Sequence, residues 1–202
     1  MSVLNKEWLR LERALGKDAK RLSLRPAATV AKLTAAEKKL GFALPEQLRS
    51  WLQIHDGQKS GALSVLATGG PLLPLQDIVE TWQLQCDTAN EEEEEEGEPQ
   101  DKRRIRWLLS HPRRVPIGGD FEMGGGTFID QIPAPKGTMD QVITLVSECD
   151  FWVVSKSLAE MFGKTADLVA KKSLHIVDDP LRLEQTKGES GFGSWAPLLR
   201  KG

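Results

Sequence analysis

A chain of 202 residues is about one domain's length, enough to bury a single core without disulfide or metal support. Its 27 Lys and Arg nearly balance 29 Asp and Glu, a net charge of −2, so bulk electrostatics point to neither nucleic acid nor an anionic membrane as partner. The opening MSVLNKEWLR meets Lys6, Glu7 and Arg10 before any apolar run, unlike a secretory signal, and no segment reaches the roughly 20 apolar residues that span a bilayer, so a cytoplasmic protein is expected. Cys86 and Cys149 have no Cys or His neighbour at ligand spacing and read as buried thiols.

Leu4, Trp8, Leu11 and Leu15 recur at intervals of four, three and four, which lines one face of a helix that Gly16 ends. A second helix is predicted over Thr29 to Leu40, with Val30, Leu33, Ala36 and Leu40 inward and Gly41 as its stop. In GFALPEQLRSWLQIHDG, Pro45 suits a first turn and Glu46 the positive end of the helix dipole. Leu48, Trp51 and Leu52 form the buried stripe of that third helix, and Asp56 and Gly57 close it in a turn. PLLPLQDIVETWQLQ then puts Leu75, Ile78, Val79, Trp82 and Cys86 on one helical face. The Glu91 to Glu96 run that follows has like charges and nothing to bury, so residues 88–101 read as a mobile insertion.

From Arg114 onward the chain changes to short β-branched and aromatic runs, RVPI, TFID, QVITLV and DFWVV, separated by turn residues as in successive strands of one sheet. Ser157 and Glu160 form a capping box ahead of the stripe Leu158, Met161, Phe162 and Leu168 or Val169. Residues 179–202 read as a loosely ordered tail with Phe192 and Trp195 as anchors. Helices followed by strands, without an internal repeat, define an α+β domain.

The glycine-rich loop from Gly118 to Pro135 invites a phosphate-site reading, since Gly119 and Gly124 have the opening spacing of a phosphate loop. Gly125 and Gly126 stand where Lys and Ser or Thr are required, Asp120 and Glu122 would repel a phosphate, and Thr127, Phe128 and Ile129 start a strand. The loop therefore reads as a chain reversal through Gly124 to Gly126. Asp120, Glu122 and Asp130 are oxygen ligands in principle for a hard cation, against the commoner use of strand-end Asp to accept turn N–H groups. His55, His111 and His175 are far apart, without an H-E-x-x-H pair, and GESGF lacks the second glycine of a nucleophile elbow. No catalytic, cofactor or metal constellation emerges. Trp8, Trp51, Trp82, Trp107 and Trp152 lie in apolar patterns and are assigned to the core.

Five segments in order resemble one family. LGFALPEQLRSWLQIHDG is similar to its L-G-x-x-L-P helix and H-D-G turn, and PLLPLQDIVETWQL to its next helix. HPRRVPIGGD is similar to its Trp-x-Pro-Ile motif, with Arg114 where Trp is usual; IDQIPAPKGTMDQVI resembles its D-x-x-P-A-P-G-G segment, and VVSKSLAEMF its closing strand and capped helix. This is the SUKH superfamily, the Smi/Knr-like family. The resemblance assigns motif positions to Leu44, Pro45, Asp56, Gly57, Trp82, Pro116, Gly126, Asp130, Pro133 and Gln141. It implies one α+β domain over residues 1–178, a largely antiparallel twisted sheet packed by helices, and no catalysis.

Members of the family include bacterial immunity proteins, which neutralise contact-delivered toxins by binding, and fungal regulatory scaffolds. The resemblance thus carries two expectations. The first is an immunity protein for a cognate toxin, in which Glu91, Glu92, Glu93, Glu94, Glu95 and Glu96, with Asp120 and Glu122, meet a basic cleft as a phosphate mimic. The second is a regulatory scaffold with no toxin partner. For the acidic run itself, a merely solvated insertion stands beside the binding role.

Overall fold

The computed structural model describes residues 1–88, 103–106, 108, 111–119, 125–146, 150–187 and 195–199. The helices lead: α1 (Val3–Leu15), a 3-10 segment (Gly16–Leu22), α2 (Val30–Leu40), α3 (Glu46–Leu52) and α4 (Leu75–Thr88). Strands β1 (Arg114–Gly118), β2 (Gly126–Asp130), β3 (Gln141–Val146) and β4 (Asp150–Ser155) follow, then α5 (Leu158–Ala170), β5 (Leu174–Asp178), β6 (Leu181–Gln185) and α6 (Ala196–Leu199). The result is a single α+β domain.

Strands β1 to β4 form an antiparallel meander in sequence order, with Val115 opposite Ile129, Phe128 opposite Ile143 and Thr144 opposite Trp152. Because side chains alternate along a strand, the two faces separate by residue. Val115, Ile117, Ile129, Val142 and Val154 join the helices in the main core. Phe128, Ile143, Phe151 and Val153 face the other way and form a smaller cluster capped by Ile105.

Each helix is set by the stripe and cap its sequence offers. Leu4, Trp8, Leu11 and Leu15 are buried in α1, whose Ser2 Oγ accepts from Asn5 N. Trp8 stands edge-on to Phe162 of α5 at 4.8 Å and to Trp51 of α3 at 5.5 Å, so one indole joins three helices. In α5, Ser157 Oγ accepts from Glu160 N, and the Glu160 carboxylate accepts in return from Lys156 N, one residue upstream of a standard capping box. Burial alone would push Glu160 up, but Lys156 N–H and the Lys164 ammonium hold it below the usual glutamate value.

Several expectations are corrected. Val30 is 60% exposed, since Thr29 is the N-cap of α2 and Val30 falls in the first turn, outside the stripe of Leu33, Ala36 and Leu40. Trp82, Trp152 and Cys86 are half-buried, not fully in the core, while Trp107 and Cys149 lie outside the described residues. Gly126 is a buried β2 residue and does not reverse the chain; positive φ falls on Gly118 and Gly119, and Gly124 lies outside the described residues. A Cβ on Gly118 would overlap the Pro71 carbonyl, because Leu72 bridges to Gly118 along the β1 edge. Finally, the expected loose tail contains β6, which pairs antiparallel with β5 and tucks Leu183 into the core; its expected anchor Trp195 is buried at 1% exposure, and Phe192 lies outside the described residues. The short hairpin alternates apolar with polar residues and buries only one side, so its apolar signal is weak.

Candidate functional site

The H-D-G turn works as a joint between helices. Asp56 Oδ1 accepts from Leu75 N at 2.7 Å and so caps α4 from a distant part of the chain. Gly57 has φ +72°, and a Cβ there would overlap the Pro74 backbone. Gln58, buried, accepts from Leu72 N at 2.8 Å and donates to the carbonyls of Leu22 at 2.8 Å and Leu63 at 3.0 Å. Three consecutive residues thus tie the start of α4 to the chain on either side of α2. Sequence reasoning found Asp56 and Gly57 as a turn and missed Gln58, whose amide gives no sign of its partners without the fold.

Held in this way, α2 and α4 leave a trough of about 330 Å³ between them. Its α2 wall presents Lys32, Ala35, Ala36 and Lys39, and its α4 wall presents Gln76, Val79 and Glu80; Arg25 and Asp56 close one end. The two alanines leave the middle of the wall low, with a lysine at either end. Lys32, Lys39 and Arg25 form no ion pair among the described residues, whereas Glu80 accepts from Gln76 at 2.8 Å and Asp56 is engaged by Leu75. On the α4 side, burial pushes Asp77 above the usual aspartate value; Glu80 and Asp56 add to this and Arg25 opposes it.

A second polar centre lies on the sheet's outer face. Arg114 and Asp130, paired across β1 and β2, are both buried, with Nε 3.7 Å from Oδ1. Asp130 also accepts from Gln141 Nε2 at 2.9 Å and from Ile132 N at 3.1 Å. The Arg114 guanidinium lies 4.9 Å from the Phe151 ring centre and donates to the carbonyls of Arg106 and Leu108. Burial disfavours its charge, and Asp130 opposes that effect. Gln141 Nε2 and Ala134 N donate to Arg104 O at 2.8 and 3.1 Å, while Lys136 N donates to Arg103 O at 2.8 Å. These bonds strap residues 103–106 over the small cluster, with Ile105 as its plug. Asp130 accepts turn and side-chain N–H groups, and among the described residues no group of three His, Cys, Asp or Glu is placed to hold a metal ion.

The motif residues divide between the two centres. Leu44 N donates to Glu37 Oε1 at 3.2 Å, Pro45 precedes α3, and these with Asp56 and Gly57 belong to the helical joint. Trp82 Nε1 donates to Pro112 O at 2.7 Å, linking α4 to the start of the sheet. Pro116 pairs with Phe128, Gly126 with Leu145, and Pro133 O accepts from Arg106 Nε at 3.3 Å, around the Asp130 and Gln141 centre. The proposed partner-binding residues Glu91, Glu92, Glu93, Glu94, Glu95, Glu96, Asp120 and Glu122 lie outside the described residues, as does the insertion apart from Thr88, which ends α4. His55 lies near Trp8 and Trp51 with its ring tilted to both, and the three histidines remain apart, His175 lying beside Thr186.

A helical layer packed on an antiparallel meander, with one buried polar centre among the helices and another in the sheet, defines an α+β domain with a charged trough between two of its helices. The chain belongs to the SMI1 / KNR4 family (SUKH-1), whose model matches residues 27–164, from the start of the α2 cap into α5. It is 25% identical over 85% of its length to the "Glucan synthesis regulatory protein" of Neurospora crassa, covering 39% of that protein. It is 28% identical over 87% of its length to the "Cell wall biosynthesis/cell cycle regulator smi1" of Schizosaccharomyces pombe, covering 38% of it. The chain therefore spans about two-fifths of the length of these relatives. No helix among the described residues is long and apolar enough to cross a membrane.

Proposed function

We propose that the chain is a non-catalytic regulatory scaffold, acting in the cytoplasm by binding other proteins, in the manner of a cell-wall-synthesis regulator. The observation that carries this reading is its similarity, over most of its own length, to two proteins named as regulators. It ranks above the toxin-immunity expectation, which rests on the family resemblance, the missing catalytic constellation and the Glu91 to Glu96 run as a phosphate mimic.

Deleting the chain in its native cell separates the two. A scaffold lost from wall synthesis lowers resistance to osmotic shock and wall-degrading enzymes, and the intact gene restores it. An immunity protein lost leaves wall resistance unchanged and causes death only when an adjacent toxin gene is induced. The second pattern would overturn the scaffold reading.

A further inference from the structure

We propose that the trough between α2 and α4 is a docking site for an acidic peptide segment of a partner protein, one aliphatic side chain flanked by two carboxylates. The argument starts from α2. Lys32, Ala35, Ala36 and Lys39 are spaced i, i+3, i+4, i+7, which places them on one helix face. At 1.5 Å rise per residue the two lysines start about 10 Å apart along the axis, within side-chain reach of two carboxylates four residues apart on one face of an extended chain, which span about 13 Å.

Between the lysines the wall is alanine, and the floor is completed by Leu75 and Val79, which are buried beneath it. This leaves room for one branched aliphatic side chain. The charge balance selects the rest. Arg25, Lys32 and Lys39 face the trough without an ion pair among the described residues, while the Glu80 carboxylate is occupied by Gln76 and Asp56 by the α4 N-terminus. Those neutral donors leave both carboxylates charged, so the lining carries three cations against two anions and is net positive, with the two lysines flanking the alanines. An anionic ligand is therefore favoured over a cationic one.

The site rests on the scaffold reading only in assuming that the natural ligand is a protein, and it is tested directly on the full chain. The probe is a short fluorescent peptide with a glutamate two residues before and two residues after a leucine, so that all three share one face of an extended chain, and its twin with glutamines. Fluorescence anisotropy should show the glutamate peptide binding about tenfold more tightly than the twin, with the difference shrinking as salt rises. Lys32→Glu with Lys39→Glu should weaken binding about tenfold, while Lys38→Glu, exposed on the same helix but outside the trough, should change it less than about twofold. Ala35→Trp fills the trough from an exposed position and should abolish binding while the melting temperature stays unchanged.

Equal effects of Lys38→Glu and Lys39→Glu would reduce the result to bulk charge and overturn the site. So would unchanged binding in Ala35→Trp, or no preference for glutamate over glutamine. Failure of the peptide arms with the wall phenotype intact rejects the trough and leaves the scaffold standing. Success of the peptide arms without a wall phenotype rejects the scaffold and leaves the trough.

Discussion

Asp130 has its two oxygens engaged by Gln141, Ile132 N and the Arg114 ion pair, in a position with 0% exposure. Breaking such a pair leaves a buried charge without its counterion, which costs about 3–5 kcal/mol, whereas replacing both partners with neutral groups of similar volume is often close to neutral. Asp130→Ala should therefore lower the urea midpoint by an amount equivalent to about 3–5 kcal/mol at unchanged slope. Arg114→Met combined with Asp130→Asn should recover part of that loss, because no buried charge is left unpaired and the asparagine oxygen still accepts from Ile132 N, while Gln141 Nε2 and the Arg106 and Leu108 carbonyls lose their partners. If the double variant is as unstable as the single one, the pair is not the source of the cost. The sequence showed Asp130 as a strand-end acceptor, and showed Arg114 only as a departure from the usual Trp. Their pairing depends on the register of β1 against β2, which neither residue's local pattern reveals.

At the scale of elements, the legible parts were those with strong periodicity or a cap. The α1 stripe, the Ser157 cap and the four strand runs each carry a local reason to form, and tertiary packing agrees with it. The α2 and α4 trough was not legible, because alanines between lysines read as an ordinary solvated helix face until α4 is laid against them. The link from α4 to β1 holds a testable group. His111 Nδ1 accepts from Arg113 N at 3.0 Å, which requires that nitrogen to be unprotonated. Burial pulls His111 below the usual histidine value, the Arg114 charge adds to this, Asp130 opposes it, and Arg106 and Arg113 add further.

The unfolded chain therefore takes up a proton near the ordinary histidine value of about 6.5, which the folded chain resists. The stabilising contribution is complete above about pH 6.5 and is lost as the pH falls through that value toward the lower folded one. Urea unfolding at about pH 7.5 and about pH 5.5 should show a drop in stability for the native chain that is smaller in His111→Gln, whose side-chain oxygen can keep accepting from Arg113 N. Equal drops would remove His111 from the account.

At the scale of the molecule, the question is whether the sheet's two faces and the chain's last described segment belong to one cooperative unit. Trp195 and Leu199 are buried in the main core, α6 lies against β4 and α5, and Lys164 Nζ donates to Leu199 O at 2.8 Å. A short helix so placed shares α5 with α1 and so joins the same core. Trp195→Ala empties a large site that the neighbouring helices cannot refill, at a cost of about 3–5 kcal/mol from a total of about 5–15 kcal/mol. For a domain of this size each kcal/mol moves the melting temperature by about 2–4 °C, so calorimetry should show one transition displaced downward by roughly 6–20 °C. Ile105→Ala, on the opposite face of the sheet, should displace that same transition by a smaller amount, because it removes fewer atoms from the smaller cluster. Two separated transitions would divide the sheet's faces into independent units, and an unmoved transition in Trp195→Ala would detach residues 195–199 from the cooperative core.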